Sequence, residues 1–168
     1  GYSGYSGIGT SGYSGYSGIS GYSVQIVNKQ VSAYSTAATT MPVDDTIPQK
    51  TEGVECMTLA ITPVSATNIL YIDVIINMSA SSASGGGLAL FQDTTDGALA
   101  AMGVTFNTTL GTFNLRHKMV AGTTSTTTFK VRAGSASAAS FYFNGIITTG
   151  RLFGGVLASS ITITEVKP

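Results

Sequence analysis

Glycine recurs at every third position through the first 23 residues, and very few folded arrangements require that spacing. The segment reads GYSGYSGIGTSGYSGYSGISGYS, with glycines at Gly1, Gly4, Gly7, Gly9, Gly12, Gly15, Gly18 and Gly21. Three polyproline-II chains wound about one axis need glycine every third residue, because no side chain fits at the axis. The repeat therefore predicts a collagen-like Gly-X-Y stalk over residues 1–23, with these glycines on its axis. The frame slips once, at Gly7-Ile8-Gly9, which predicts a local kink. Proline is absent from the repeat, so the rod lacks residues already fixed in polyproline II. Fully ordered, it would span roughly 70 Å at about 3.1 Å per residue. So short a rod needs an adjoining trimer to hold its three chains in register. The same residues also fit a flexible Gly/Ser linker or a bundle of extended Gly-rich strands. Five tyrosines argue against a simple spacer. Because the chain opens on glycine in mid-repeat, a longer polypeptide is expected upstream.

From Val24 the period changes from three to two, and no stretch has helical spacing with caps. Runs rich in Thr, Val, Ile, Phe and Tyr predict strands near 24–31, 34–41, 54–62, 69–78, 87–92, 98–106, 111–121, 125–133, 139–147 and 158–166. Turns are expected at Ala83–Gly87, Asp96-Gly97, Ala121-Gly122 and Ala133-Gly134. Many short strands with turns between them read as an all-β, antiparallel β-sandwich or barrel, so residues 24–168 form one head domain. The run at 69–78 places Leu70, Ile72, Val74, Ile76 and Met78 on one face, the expected core side. Its other face carries Ile69, Tyr71, Asp73, Ile75 and Asn77. Large apolar groups beside polar ones suit a subunit interface, and these five residues are the expected trimer contact. If the runs at 111–121 and 125–133 pair as a hairpin, Arg116, Lys118, Lys130 and Arg132 make one outer basic stripe.

Charged residues are only 10% of the chain, against about 25% for an ordinary soluble domain. Eight acidic residues balance eight basic ones. Nothing here gathers a polyanion, so neither nucleic acid nor an anionic membrane is an expected partner. No run of 18 apolar residues is present to insert in a bilayer as a helix. Cys56 is the single cysteine and reads as a buried structural thiol. His117, the one histidine, alternates with Phe113, Leu115 and Met119 and reads as a core or interface residue. Near a threefold axis its charging would weaken a trimer below roughly pH 6.5. Asp93-Thr94-Thr95-Asp96-Gly97 reads as a turn rather than a calcium loop, and Asp44-Asp45 as a loop start accepting backbone N–H groups. No carboxylate pair, Cys/His cluster or phosphate loop is legible, so no catalytic residue, metal site or cofactor is expected.

The order of motifs along the chain resembles the C-terminal region of collagen-like fibre proteins of tailed bacteriophages and prophages. The residues that carry the likeness are the GYSGYSGI repeat, VDDTIPQ at 43–49, TLAITP at 58–63, SATNILYIDV at 65–74, ALFQD at 89–93 and RLFGGVLASSITITEV at 151–166. The layout is also similar to collagen-stalked trimeric heads of the complement and tumour-necrosis-factor type. The resemblance implies a jelly-roll-like, homotrimeric head on a non-enzymatic virion fibre that attaches to a host-surface glycan or protein. It assigns no receptor residues. A second expectation, from a different class, is a subunit of a secreted extracellular filament in which neighbouring trimers dock. Both place the chain on a virion surface or outside the cell.

Overall fold

Alternation of apolar and polar residues builds strands here because each one buries one face and leaves the other wet. The computed structural model describes residues 21–137 and 139–168. The stalk glycines Gly1 to Gly18 lie outside the described residues. Twelve strands follow: β1 (Ser23–Val31), β2 (Ser35–Ala37), β3 (Val54–Ile61), β4 (Ile69–Ala80), β5 (Ser84–Gln92), β6 (Ala100–Phe106), β7 (Gly111–Val120), β8 (Thr127–Ser135), β9 (Phe141–Phe143), β10 (Gly145–Ile146), β11 (Gly150–Arg151) and β12 (Ser159–Val166). A short 3-10 turn covers Phe153–Gly155.

Two main antiparallel sheets and a small two-stranded one, β10-β11, result. The first runs β1-β12-β4-β7, extended beyond β12 by β9 and β2. The second runs β3-β8-β5-β6. Eight strands in this interleaved order form a jelly-roll sandwich. The predicted inner face of β4 is the centre of the core: Leu70, Ile72, Val74, Ile76 and Met78 are all at most 1% exposed. They meet Leu88, Leu90, Phe129, Val131 and Phe106 of the second sheet. Phe106 packs edge-on to Phe113 and stacks with Phe141, with centroids 5.7 and 6.3 Å apart. Each such buried side chain contributes about 1.5–3 kcal/mol.

Three sequence expectations are corrected. The runs at 111–121 and 125–133 do not form a hairpin: β7 pairs with β4, whereas β8 lies between β3 and β5. The segment between them crosses from one sheet to the other, so Arg116 and Lys118 sit on one layer and Lys130 and Arg132 on the other. No four-base stripe forms. Gly85–Gly87 and Gly134 belong to strands rather than turns. A Cβ on Gly86 would lie 2.4 Å from both the Gly134 carbonyl and the Phe106 ring, so close strand packing, not a turn, requires glycine there. The 139–147 run breaks at Asn144, which has φ +55° and separates β9 from β10.

The sandwich has two distinct ends. Gly21 donates its N–H to the Lys167 carbonyl at 2.7 Å, and Lys167 donates to the Tyr22 carbonyl at 3.0 Å. Both termini of the head therefore leave from one end. Gly21 has φ +86°, unlike the polyproline-II backbone of a triple helix, and Ser23 already begins β1. The twelve residues of β4 carry the chain roughly 35 Å to the opposite end at about 3.3 Å each. That far end holds the segment 144–158.

Candidate interaction surface

The outer faces of the two sheets are treated differently by the chain itself. Over the second sheet, the segment before β3 folds back across β5 and β8. Met41 is fully buried there against Ala89 and Phe91. Arg132 fastens this cover by donating to the carbonyls of Glu52 and Gly53, at 2.8 and 2.7 Å. Lys50 pairs with Asp96 at 2.7 Å. Two of the bases expected on a free stripe, Lys130 and Arg132, are thus occupied holding backbone: Lys130 reaches the Asp93 carbonyl at 3.1 Å.

No described segment covers the outer face of the first sheet in the same way. Strand register sets it out as rows across four strands. Ile26, Thr164, Tyr71 and Lys118 form one row; Asn28, Thr162, Asp73 and Arg116 the next; Gln30, Ser160, Ile75 and Asn114 the third. Ile26, Tyr71, Ile75 and Val120 expose 63%, 40%, 44% and 54% of their surface. Lys118 Nζ lies 5.5 Å from the centre of the Tyr71 ring, a cation–π contact. Arg116 pairs with Asp73 in the middle of the face. Both partners are well exposed, so the pair contributes about 0–1 kcal/mol as it stands. A shallow groove of about 570 Å³ runs between Tyr71, Asp73, Arg116, Lys118 and Thr164.

Four of the five residues expected on this face are there: Ile69, Tyr71, Asp73 and Ile75. Asn77 is not available. It is 5% exposed, donates to the Ala158 carbonyl at 2.9 Å and accepts from Thr112 Oγ1 at 2.7 Å. Its backbone N–H goes to Ser159 Oγ at 2.9 Å. It clamps the segment entering β12, a role set by a partner some eighty residues away in sequence. Sequence reading also passed over Ile26, Val120, Thr162 and Thr164, because only strand pairing brings them beside Tyr71.

The titratable groups do other work. His117 is half-buried beside Ile72 on β7, an edge strand, and burial lowers its pKa. Burial pushes the Cys56 thiol up to about 12. Asp93 accepts from Thr127 Oγ1 and the Thr128 N–H at 2.8 and 2.7 Å, tying the end of β5 to the start of β8. Asp44 accepts from the hydroxyl and the N–H of Thr46, which lower its pKa in that order. Among the described residues, no three His, Cys, Asp or Glu side chains gather as metal ligands.

Glu165 was not singled out by sequence. It is fully buried in β12 and accepts from the Val64 and Ser65 N–H groups at 2.9 and 3.2 Å, from Asn68 Nδ2 at 2.6 Å, and from Gln25 Nε2. Burial pushes its pKa up, but these four donors outweigh that and hold it below the usual carboxylate value. It anchors the loop between β3 and β4 at the end where the head's termini leave.

No protein-family model matches this chain, and no curated protein matches it in sequence. Solved structures with a similar fold include a CBM4 domain, at 15% identity over 78% of this chain and 79% of that one, TM-score 0.43. Another is the C-terminal domain of EclA, described as a sugar-binding protein, at 20% identity over 81% and 86%, TM-score 0.42. A third is the CBM22-1 xylan-binding domain of Xyn10C from Paenibacillus barcinonensis, at 14% identity over 84% and 86%, TM-score 0.42.

Proposed function

We propose that this chain is a non-enzymatic fibre protein whose jelly-roll head trimerises and presents its far end to a host surface. One observation carries the reading. The chain covers the outer face of its second sheet with its own segment but leaves Ile26, Tyr71, Ile75 and Val120 exposed on the first. A face that leaves large apolar residues exposed among polar ones, on a low-charge chain, is best satisfied by copies of itself. The Gly-X-Y repeat independently calls for three chains. The head would hold three stalk ends together where its termini leave, so the rod zips from the head toward Gly1. Three copies also multiply weak contacts to a glycan or protein receptor. The same reading places the protein on a virion surface or in an extracellular fibre.

Sedimentation equilibrium of the full chain tests it. A particle of three times the 17.2 kDa chain mass is expected, and Ile75→Glu with Tyr71→Glu should reduce it to monomer without loss of the β-sheet signal. A wild-type monomer would overturn the proposal.

A further inference from the structure

The far end carries a feature that the trimer face does not use. Between β11 and β12, Phe153, Gly154 and Gly155 have φ of +48°, +62° and +94° in succession. Phenylalanine rarely adopts that conformation, because its Cβ crowds the following carbonyl. Here it holds Phe153 71% exposed and Val156 84% exposed. The projection is not loose at its base. Fully buried Asn144 donates to the Val31 and Ala33 carbonyls at 2.7 and 3.2 Å and accepts from Ser159 Oγ at 2.7 Å, and Asn77 grips Ala158. Gly145 pairs with Arg151 across the β10-β11 hairpin. Arg151 lies against Gly155, so the tip is an apolar knob with one positive charge and no carboxylate.

A complementary patch lies elsewhere on the same chain. An open groove of about 430 Å³ is lined by Ile47, Pro48, Leu99 and Ala101 together with Asp44 and Asp45. Ile47 is 64% exposed on its wall. Thus an apolar knob with a cation matches a groove that offers Ile47 and Leu99 beside two carboxylates.

We infer that the Phe153–Val156 knob of one head seats in the Ile47–Leu99 groove of a second copy of this chain, with Arg151 facing Asp44 and Asp45. The contact joins two different patches, so it closes as a twofold pair or a ring, or it propagates. Height excludes a ring about the strand direction. The groove sits at the Ala100 end of β6, while the knob lies beyond the Phe106 end, roughly 20 Å away along the strands at about 3.3 Å per residue. Rotation about an axis along the strands keeps heights equal, so knob and groove cannot meet within one parallel trimer. The contact therefore links heads of different particles, antiparallel as a twofold pair or parallel and staggered along the strands. It does not rest on the trimer reading, since monomeric heads would associate the same way.

Sedimentation velocity on the full chain, from about 10 μM to about 1 mM, spans the range of weak surface contacts. Growth beyond the basal particle is expected, whether that particle has one chain or three. Phe153→Ser and Ile47→Ser should each weaken the growth about tenfold or more. Arg151→Glu should do the same, and adding Asp44→Lys with Asp45→Lys should restore it. Absence of growth in the wild type, an unchanged distribution in Phe153→Ser, or failure of the charge reversal to restore growth would each overturn the inference. The mass of the basal particle reports separately on the trimer.

Discussion

Replacing Glu165 by glutamine keeps the shape of a buried side chain but removes its charge. The carboxylate receives four donors: the Val64 and Ser65 N–H groups, the Asn68 amide and the Gln25 amide. In Glu165→Gln one oxygen can still serve Val64, Ser65 and Asn68. The new NH₂ then faces the Gln25 NH₂, donor against donor. Gln25 cannot flip freely, because the same nitrogen donates to the Thr62 carbonyl at 2.8 Å. Hydrogen bonds to a charged group contribute about 1.5–3 kcal/mol each and neutral ones about 1. One lost bond and three weakened ones come to about 3 kcal/mol at the low end of those values. With a urea slope of about 2 kcal/mol per molar, the unfolding midpoint at pH 7 should fall by about 1.5 M.

The pH dependence of that loss is a second readout. Hydrogen bonding holds the folded Glu165 pKa below its unfolded value. The stabilisation is therefore fully present above the unfolded value of about 4.3 and is lost as pH falls through the lower folded value. The gap between wild type and Glu165→Gln should be constant above about pH 5 and close in stronger acid. Urea titrations at fixed protein concentration, followed by circular dichroism, measure both quantities. A midpoint shift under about 0.2 M at pH 7, or a gap that does not narrow in acid, would refute the account of Glu165 as an anchor.

Gly86→Ala should cost about 3 kcal/mol, because its Cβ would meet the Gly134 carbonyl and the Phe106 ring at 2.4 Å. For a chain of this size the thermal midpoint should drop by roughly 6–12 °C in calorimetry. Cys56, with its thiol pushed up to about 12, should resist iodoacetamide at pH 8 in the native protein and react readily in urea, as mass spectrometry would show. The His117 pKa is lowered in the fold, so protonation favours the unfolded chain. Stability should therefore fall as pH drops below the ordinary value of about 6.5, and His117→Asn should flatten that slope in thermal melts.

The face of each strand was legible in the sequence; its neighbours were not. Leu70, Ile72, Val74, Ile76 and Met78 were readable as core because a period of two fixes which side chains point together. The same alternation says nothing about which strand lies alongside. Lys118 and Lys130 therefore looked like members of one stripe, yet β7 joins β4 and β8 joins β5. Glycine was ambiguous for a related reason. Gly122, with φ +69°, lies in the segment that crosses between the sheets, whereas Gly86 and Gly134 are strand residues kept small by a neighbour. Local sequence carries the dihedral demand of a turn but not the approach of a distant carbonyl.

The all-β class, the inner face of β4 and the period-three repeat each depend on spacing within one run of residues, and so were legible before folding. Tertiary structure alone decided the jelly-roll order, the burial of Asn77 and Glu165, the cover over one sheet and the exposure of the other. Those features depend on partners tens of residues away, such as Asn77 with Ala158 and Glu165 with Val64. Whether Tyr71 and Ile75 face a core or a free surface is likewise set by which segment folds back over which sheet. Met41 goes to the second sheet, and the first is left open.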